Sequence, residues 1–150
     1  DPNLATIILL VFGVSGITAS MIFNRLYRFG PTQFISGAMM LLAVSLAFML
    51  VSASYIATMF TLAFIWGIGI SCIGLALQMR VLQLAPDATD VASAIYSGIF
   101  NAGIGAGALF GNQIARHVGL EYIGFSGAAL AVIALGIFVF FNFRYRAQNV

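Results

Sequence analysis

Five apolar stretches, each about as long as a bilayer is thick, fill nearly all of this 150-residue chain. They cover residues 4–23, 32–51, 56–79, 91–115 and 122–143. A helix rises about 1.5 Å per residue and the hydrocarbon core is about 30 Å thick, so about 20 apolar residues cross it. Backbone in lipid has no water to bond, so each stretch must close its own hydrogen bonds as a helix. A water-soluble core of this size would need a charged shell. Here only 7% of residues are charged and the mean hydropathy is +1.08. The predicted class is all-α integral membrane, five transmembrane helices with the lipid bilayer as their solvent.

The charges orient these spans. All six basic residues are arginines, and each lies at a span end or between spans. Arg25 and Arg28 follow the first span, Arg80 the third, and Arg144 and Arg146 the fifth. The intervening connections hold Arg116 alone. Short loops rich in Lys and Arg stay cytoplasmic, so the C-terminus is predicted inside and the N-terminus outside. Tyr27, Tyr55, Tyr122 and Tyr145 fall at the same boundaries, as amphipathic rings do at a headgroup layer. The pI near 9.0 is explained by this asymmetry, and nucleic acid is not an expected partner.

Punctuation along the chain is sparse. Asn3 after Pro2 is a candidate N-cap for the first helix, and Gly30-Pro31 breaks the chain before the second. A tight turn over residues 52–55 makes the second and third spans an antiparallel pair. The connection over residues 80–90 carries Asp87 and Asp90, which would cap the fourth helix or latch a neighbouring loop. The chain opens on Asp1, and we read it as the C-terminal piece of something longer.

Polar groups inside a span should face protein or a water-filled cavity. In the fourth span Ser93, Ser97, Asn101, Gly105, Ala108 and Asn112 form one small, polar stripe. Gly103, Gly107 and Gly111 form a ladder on roughly the opposite side, where a helix can approach closely. Asn101 sits near the bilayer centre, either bonded to another helix or touching a solute. The third span carries Phe60, Phe64, Gly67, Ser71, Gly74 and Gln78, which suit a cavity wall for an amphipathic solute or a groove for a helix. Trp66 projects about 100° away with Met59, Ile70, Ile73 and Leu77, and is expected to pack. Gly13, Gly16 and Ser20 give the first span a close-packing side, while the second and fifth spans read as uniformly apolar and lipid-facing.

Catalytic chemistry finds no foothold. No Asp, Glu, Lys or Arg lies in the core of a span, and His117 sits at a boundary beside Arg116 and Glu121. The single Cys72 lies inside a span and reads as a small packing residue. No carboxylate pair, nucleophile elbow, metal-ligand cluster or phosphate loop is present, since the glycines of the fourth span lack the strand context that loop needs. An enzyme is not expected, nor a cofactor or metal.

The run Gln78-Met79-Arg80-Val81-Leu82-Gln83-Leu84-Ala85-Pro86-Asp87-Ala88-Thr89-Asp90, with Ala92-Ser93-Ala94 and the stretch from Ser97 and Gly98 through Asn101 to Gly103, Gly105 and Gly107, resembles one region of the major facilitator superfamily transporters. That region spans their tenth and eleventh helices. It is most similar to bacterial sugar efflux transporters of the drug–proton antiporter group. Asn24-Arg25-Leu26-Tyr27-Arg28 is similar to the second copy of the family's cytoplasmic loop motif. Arg25 and Arg28 fit it, whereas Ser20, Asn24 and Tyr27 replace its leading Gly, its Asp and its inner Gly.

The resemblance covers essentially the whole chain and implies helices eight to twelve of twelve, part of the C-terminal six-helix bundle. The N-terminal half and one further helix would then lie outside this chain. It implies proton-coupled efflux of sugars or sugar-like solutes by alternating access in the bacterial inner membrane. The first and fourth spans would line the seam between the halves, with Ser97 and Asn101 there. The third would line the cavity through Phe64, Gly67, Ser71 and Gln78. Arg25 and Arg28 would hold the loop against helix ends or acids of the other half. Two other readings are a multidrug efflux antiporter and a non-transporting five-span subunit that acts through a partner.

Overall fold

The computed structural model describes residues 2–49 and 55–148. Five helices follow one another: α1 (Pro2–Leu26), α2 (Pro31–Phe48), α3 (Ile56–Leu84), α4 (Thr89–His117) and α5 (Tyr122–Gln148). All five are long and apolar enough to cross a membrane, as the hydropathy pattern predicts, and the chain is a multi-pass membrane protein. Short 3-10 turns at Tyr27–Phe29 and Pro86–Ala88 join α1 to α2 and α3 to α4. The turn expected at residues 52–55, and the end of the second span beyond Met49, lie outside the described residues except for Tyr55.

Local chemistry sets the breaks. Pro31 takes the first position of α2, where its missing N–H costs nothing, behind an extended Gly30. After α4, the N–H groups of Val118 and Gly119 both donate to the Ile114 carbonyl, at 2.9 and 3.0 Å. Gly119 then turns the chain at φ +136°, a conformation that a side chain would oppose. Two expected caps are absent. α1 already begins at Pro2, so Asn3 lies inside its first turn rather than before it. Neither aspartate caps α4, whose start makes no side-chain cap hydrogen bond. Asp87 is held in the 3-10 turn and Asp90 lies one residue inside the helix, where it still complements the positive end of the dipole.

Neighbouring helices run in alternating directions. Gly67 lies on Ser15 and Phe12 while Ser71 approaches Gly16, so α1 and α3 rise together. Gly69 lies on Ala38 and Leu42 while Ala76 clusters with Ile35, so α2 and α3 run antiparallel. Small residues make these contacts possible, because helices in lipid gain by close van der Waals approach rather than by a hydrophobic drive. A Cβ built on Gly69 would stand 3.3 Å from the Leu42 backbone nitrogen, and one on Gly124 of α5 would stand 2.8 Å from the Leu46 carbonyl oxygen.

The second helix therefore departs from the lipid-facing expectation, whereas α5 packs on α2 along one side and leaves more than half of its described residues exposed. α2 is wedged between α3 and α5, with Ile35, Ala38, Ala43 and Ser45 buried. A uniformly apolar sequence conceals such a helix, because alanine and leucine carry nearly the same hydropathy signal whichever way they face. α4 is the peripheral one. Between Ser97 and Phe110 every residue except Phe100 is exposed.

One core position is unusual. Tyr27 is only 8% exposed, yet its hydroxyl has no hydrogen-bond partner. Its ring stacks on Phe23 at 4.6 Å and meets Phe34 edge-on at 5.8 Å. The ring rather than the hydroxyl holds this corner. Tyr27→Phe is expected to keep the protein as stable as before or to stabilise it by about 1 kcal/mol, since it removes a stranded donor. An unfolding titration in mixed micelles measures this, and a loss of stability would show that the hydroxyl has a partner in the folded protein.

Candidate functional site

Between α1, α3 and α4 lies a cavity of about 790 Å³. Phe12 of α1 and Trp66, Ile70, Ser71 and Gly74 of α3 form one side. Ile99, Phe100, Gly103 and Ile104 of α4 form the other. The Phe12 and Trp66 rings touch, with centroids 5.3 Å apart and planes tilted by 42°. The cavity is thus an aromatic cleft whose side-chain polar groups are the Ser71 hydroxyl and the Trp66 indole N–H. Such a surface suits a solute with one flat, weakly polar face and hydroxyls at its edge.

Alternatives are less suited. A groove of about 640 Å³ among α1, α2 and α3 runs from the Phe29–Gln33 turn to Leu41 and Cys72 and is lined mostly by aliphatic and small residues. One of about 610 Å³ between α3 and α5 is mostly aliphatic and aromatic, with Arg80 and Asn142 at its edge. Among the described residues no three His, Cys, Asp or Glu side chains come together as a metal site.

The residues singled out from the sequence are dispersed. Ser71 lines the cavity, and Gly74 beside it does too. Gly67 is elsewhere: it is buried against α1, where a Cβ would collide with the Ser15 hydroxyl and stand 2.9 Å from the Ser15 Cβ. Phe64 is half-buried and Gln78 is exposed, neither on the cavity wall. Ser97 and Asn101 are exposed on α4, and the Asn101 amide donates to the Ser97 carbonyl of its own helix at 2.8 Å. Intrahelical bonding thus satisfies one donor of Asn101 without a second helix.

The glycines divide as well. A Cβ built on Gly16 would stand 3.8 Å from the Ser71 hydroxyl, whereas Gly13, Gly103, Gly107 and Gly111 have open space where a side chain would be, and Gly103 borders the cavity. Asn24, Arg25 and Arg28 are exposed at the end of α1, with the Arg28 guanidinium 4.9 Å from the Phe29 ring centre. Trp66, expected to pack, both packs on Phe12 and lines the cavity.

Phe12, Phe100 and Tyr96 went unmarked in the sequence. Two of fourteen phenylalanines carry no signal of their own. Tyr96 does, being the one tyrosine of five placed away from a span end. Its hydroxyl donates to the Gly74 carbonyl across the α3–α4 interface at 2.7 Å.

No protein-family model matches the sequence. Curated relatives do. The chain is 66% identical over 146 residues, 97% of its length, to a protein of Haemophilus influenzae named "Probable sugar efflux transporter". Proteins of the same name from Pasteurella multocida and Helicobacter pylori are 57% and 48% identical over 95% and 97% of the chain. The chain spans 37% of the length of the Haemophilus protein and 35% of the Pasteurella one. Over nearly all of its length, then, the chain matches a part of bacterial proteins named as sugar efflux transporters, the group its own residues resemble.

Proposed function

We propose that this chain is the cavity-bearing part of a bacterial inner-membrane transporter that exports sugars or sugar-like solutes. The observation that carries this reading is its two-thirds identity to a protein named as a sugar efflux transporter. The aromatic cleft supports it: the ring carbons of a sugar carry C–H groups that rest on the negative faces of Trp66 and Phe12, while Ser71 meets a hydroxyl. The solute moves by alternating access, the cavity opening to each side in turn as bundles rock about it. Protons drive export. The acids that carry them belong to the remaining length of the transporter, since no acidic side chain lies in the core of this chain's spans. The C-terminus faces the cytoplasm, because the arginine-rich connections are those on its side.

The test is direct. Cells expressing the complete gene and loaded with a radiolabelled sugar are expected to lose label faster than cells without it, and a protonophore should stop the loss. Equal retention overturns the transport reading and favours a non-transporting membrane subunit. Extrusion of a cationic dye without sugar export overturns the substrate class in favour of a multidrug exporter.

A further inference from the structure

We propose that the Tyr96 hydroxyl is a positioning group that sets the width of the solute cavity by pinning α4 to α3 at the cavity's narrow end. This rests on the transport reading above. Among the described residues, Tyr96 makes the one side-chain hydrogen bond from α4 to another helix, donating to the Gly74 carbonyl at 2.7 Å. Around that point the two helices touch. A Cβ on Gly74 would meet Tyr96 Oη and Phe100 Cζ, both at 3.8 Å. Moving away from it they part: Gly103 of α4, which borders the cavity, has open space where a side chain would be. Antiparallel helices that touch at Gly74 and Tyr96 and diverge toward Trp66 and Ile104 enclose a wedge, and the cavity occupies that wedge.

The hydroxyl fixes the apex for a physical reason. In lipid a phenol O–H has no water to turn to, so it stays on the carbonyl that accepts it. A carbonyl already engaged in its own helix has a second lone pair for the purpose. Tyr96 also touches the Phe100 ring, with centroids 5.7 Å apart, and Phe100 forms part of the α4 wall. Pinning Tyr96 therefore orients a wall residue one turn further on. Packing adds little further restraint on α4, most of whose residues are exposed.

Tyr96→Phe keeps the ring and removes only the bond. In the complete transporter it is expected to raise the KM for exported sugar by about two- to tenfold, the scale of one lost neutral hydrogen bond, with maximal rate and membrane abundance little changed. Spin labels at Ala63→Cys and Ala108→Cys, in a Cys72→Ala background, are expected to give a longer and broader distance distribution in the Tyr96→Phe protein. Gly136→Ala on α5, an open position away from the cavity, is the control and should change neither. An unchanged distance distribution overturns the proposal whatever happens to KM, and an unchanged KM overturns the positioning role. If the parent protein itself fails to export sugar, the transport reading fails instead, and the spin-label distances still decide whether Tyr96 pins the helices.

Discussion

Gly67→Ala is expected to force α1 away from α3 and to be among the most damaging single-methyl additions in the protein. Gly67 faces α1 at the tightest point of their contact. The new carbon would collide with the Ser15 hydroxyl, stand 2.9 Å from Ser15 Cβ and 3.2 Å from Phe12 Cδ2. Ser15 cannot swing aside, since it is fully buried and its hydroxyl donates to the Phe12 carbonyl at 2.6 Å. Overpacking of this kind costs about 1–3 kcal/mol. In membrane helices there is little compensating drive, since association rests on close contact itself. The measurement is the midpoint of an unfolding titration in mixed micelles, with Gly13→Ala as the control because its position is open. Ser15→Gly should be mildly harmful alone and should recover much of the loss when combined with Gly67→Ala. Additive losses in the double variant would show that the two residues do not share the contact.

Gly67 also shows where the sequence was legible and where it was not. The five spans were readable because lipid demands a long apolar run whatever the tertiary structure, and their lengths agree with the helices to within a few residues at the described ends. Angular position on a helix was readable too, since the 3.6-residue period is intrinsic. What a single sequence does not contain is the identity of the neighbour at each angle and depth. Gly67 and Ser71 share a stripe, yet one is clamped by α1 and the other borders a cavity. Gly67 and Gly69 are two residues apart and serve different partners, α1 and α2. Trp66 reads as a packing residue because it shares an apolar side with Met59, Ile70, Ile73 and Leu77, but at its own depth a cavity opens between α3 and α4. Asp87 and Asp90 had the right chemistry for a cap, and the 3-10 turn shifted the helix start past one and before the other.

Trp66→Ala is expected to cost transport more than any other substitution on the cavity wall, and its effect should fall on affinity. The indole forms the largest flat surface there and is held by contact with Phe12, so it meets a solute without first being ordered. Stacking a ring on an aromatic side chain is worth about 1–3 kcal/mol in nucleic-acid grooves, which sets the scale at about a tenfold or greater rise in KM for export. Trp66→Phe should recover much of the loss, because it retains a face of the same sign, whereas Trp66→Leu should not despite being apolar. That ordering separates two roles the geometry allows. If Trp66 served only to pack against Phe12, leucine would restore the protein at least as well as phenylalanine, membrane abundance would fall with activity, and KM would stay where it was. Initial rates of sugar export across a range of internal concentrations, normalised to the amount of transporter in the membrane, distinguish the two. An affinity loss graded by the flatness of the side chain places the solute against Trp66, and an abundance loss graded by volume removes it from there.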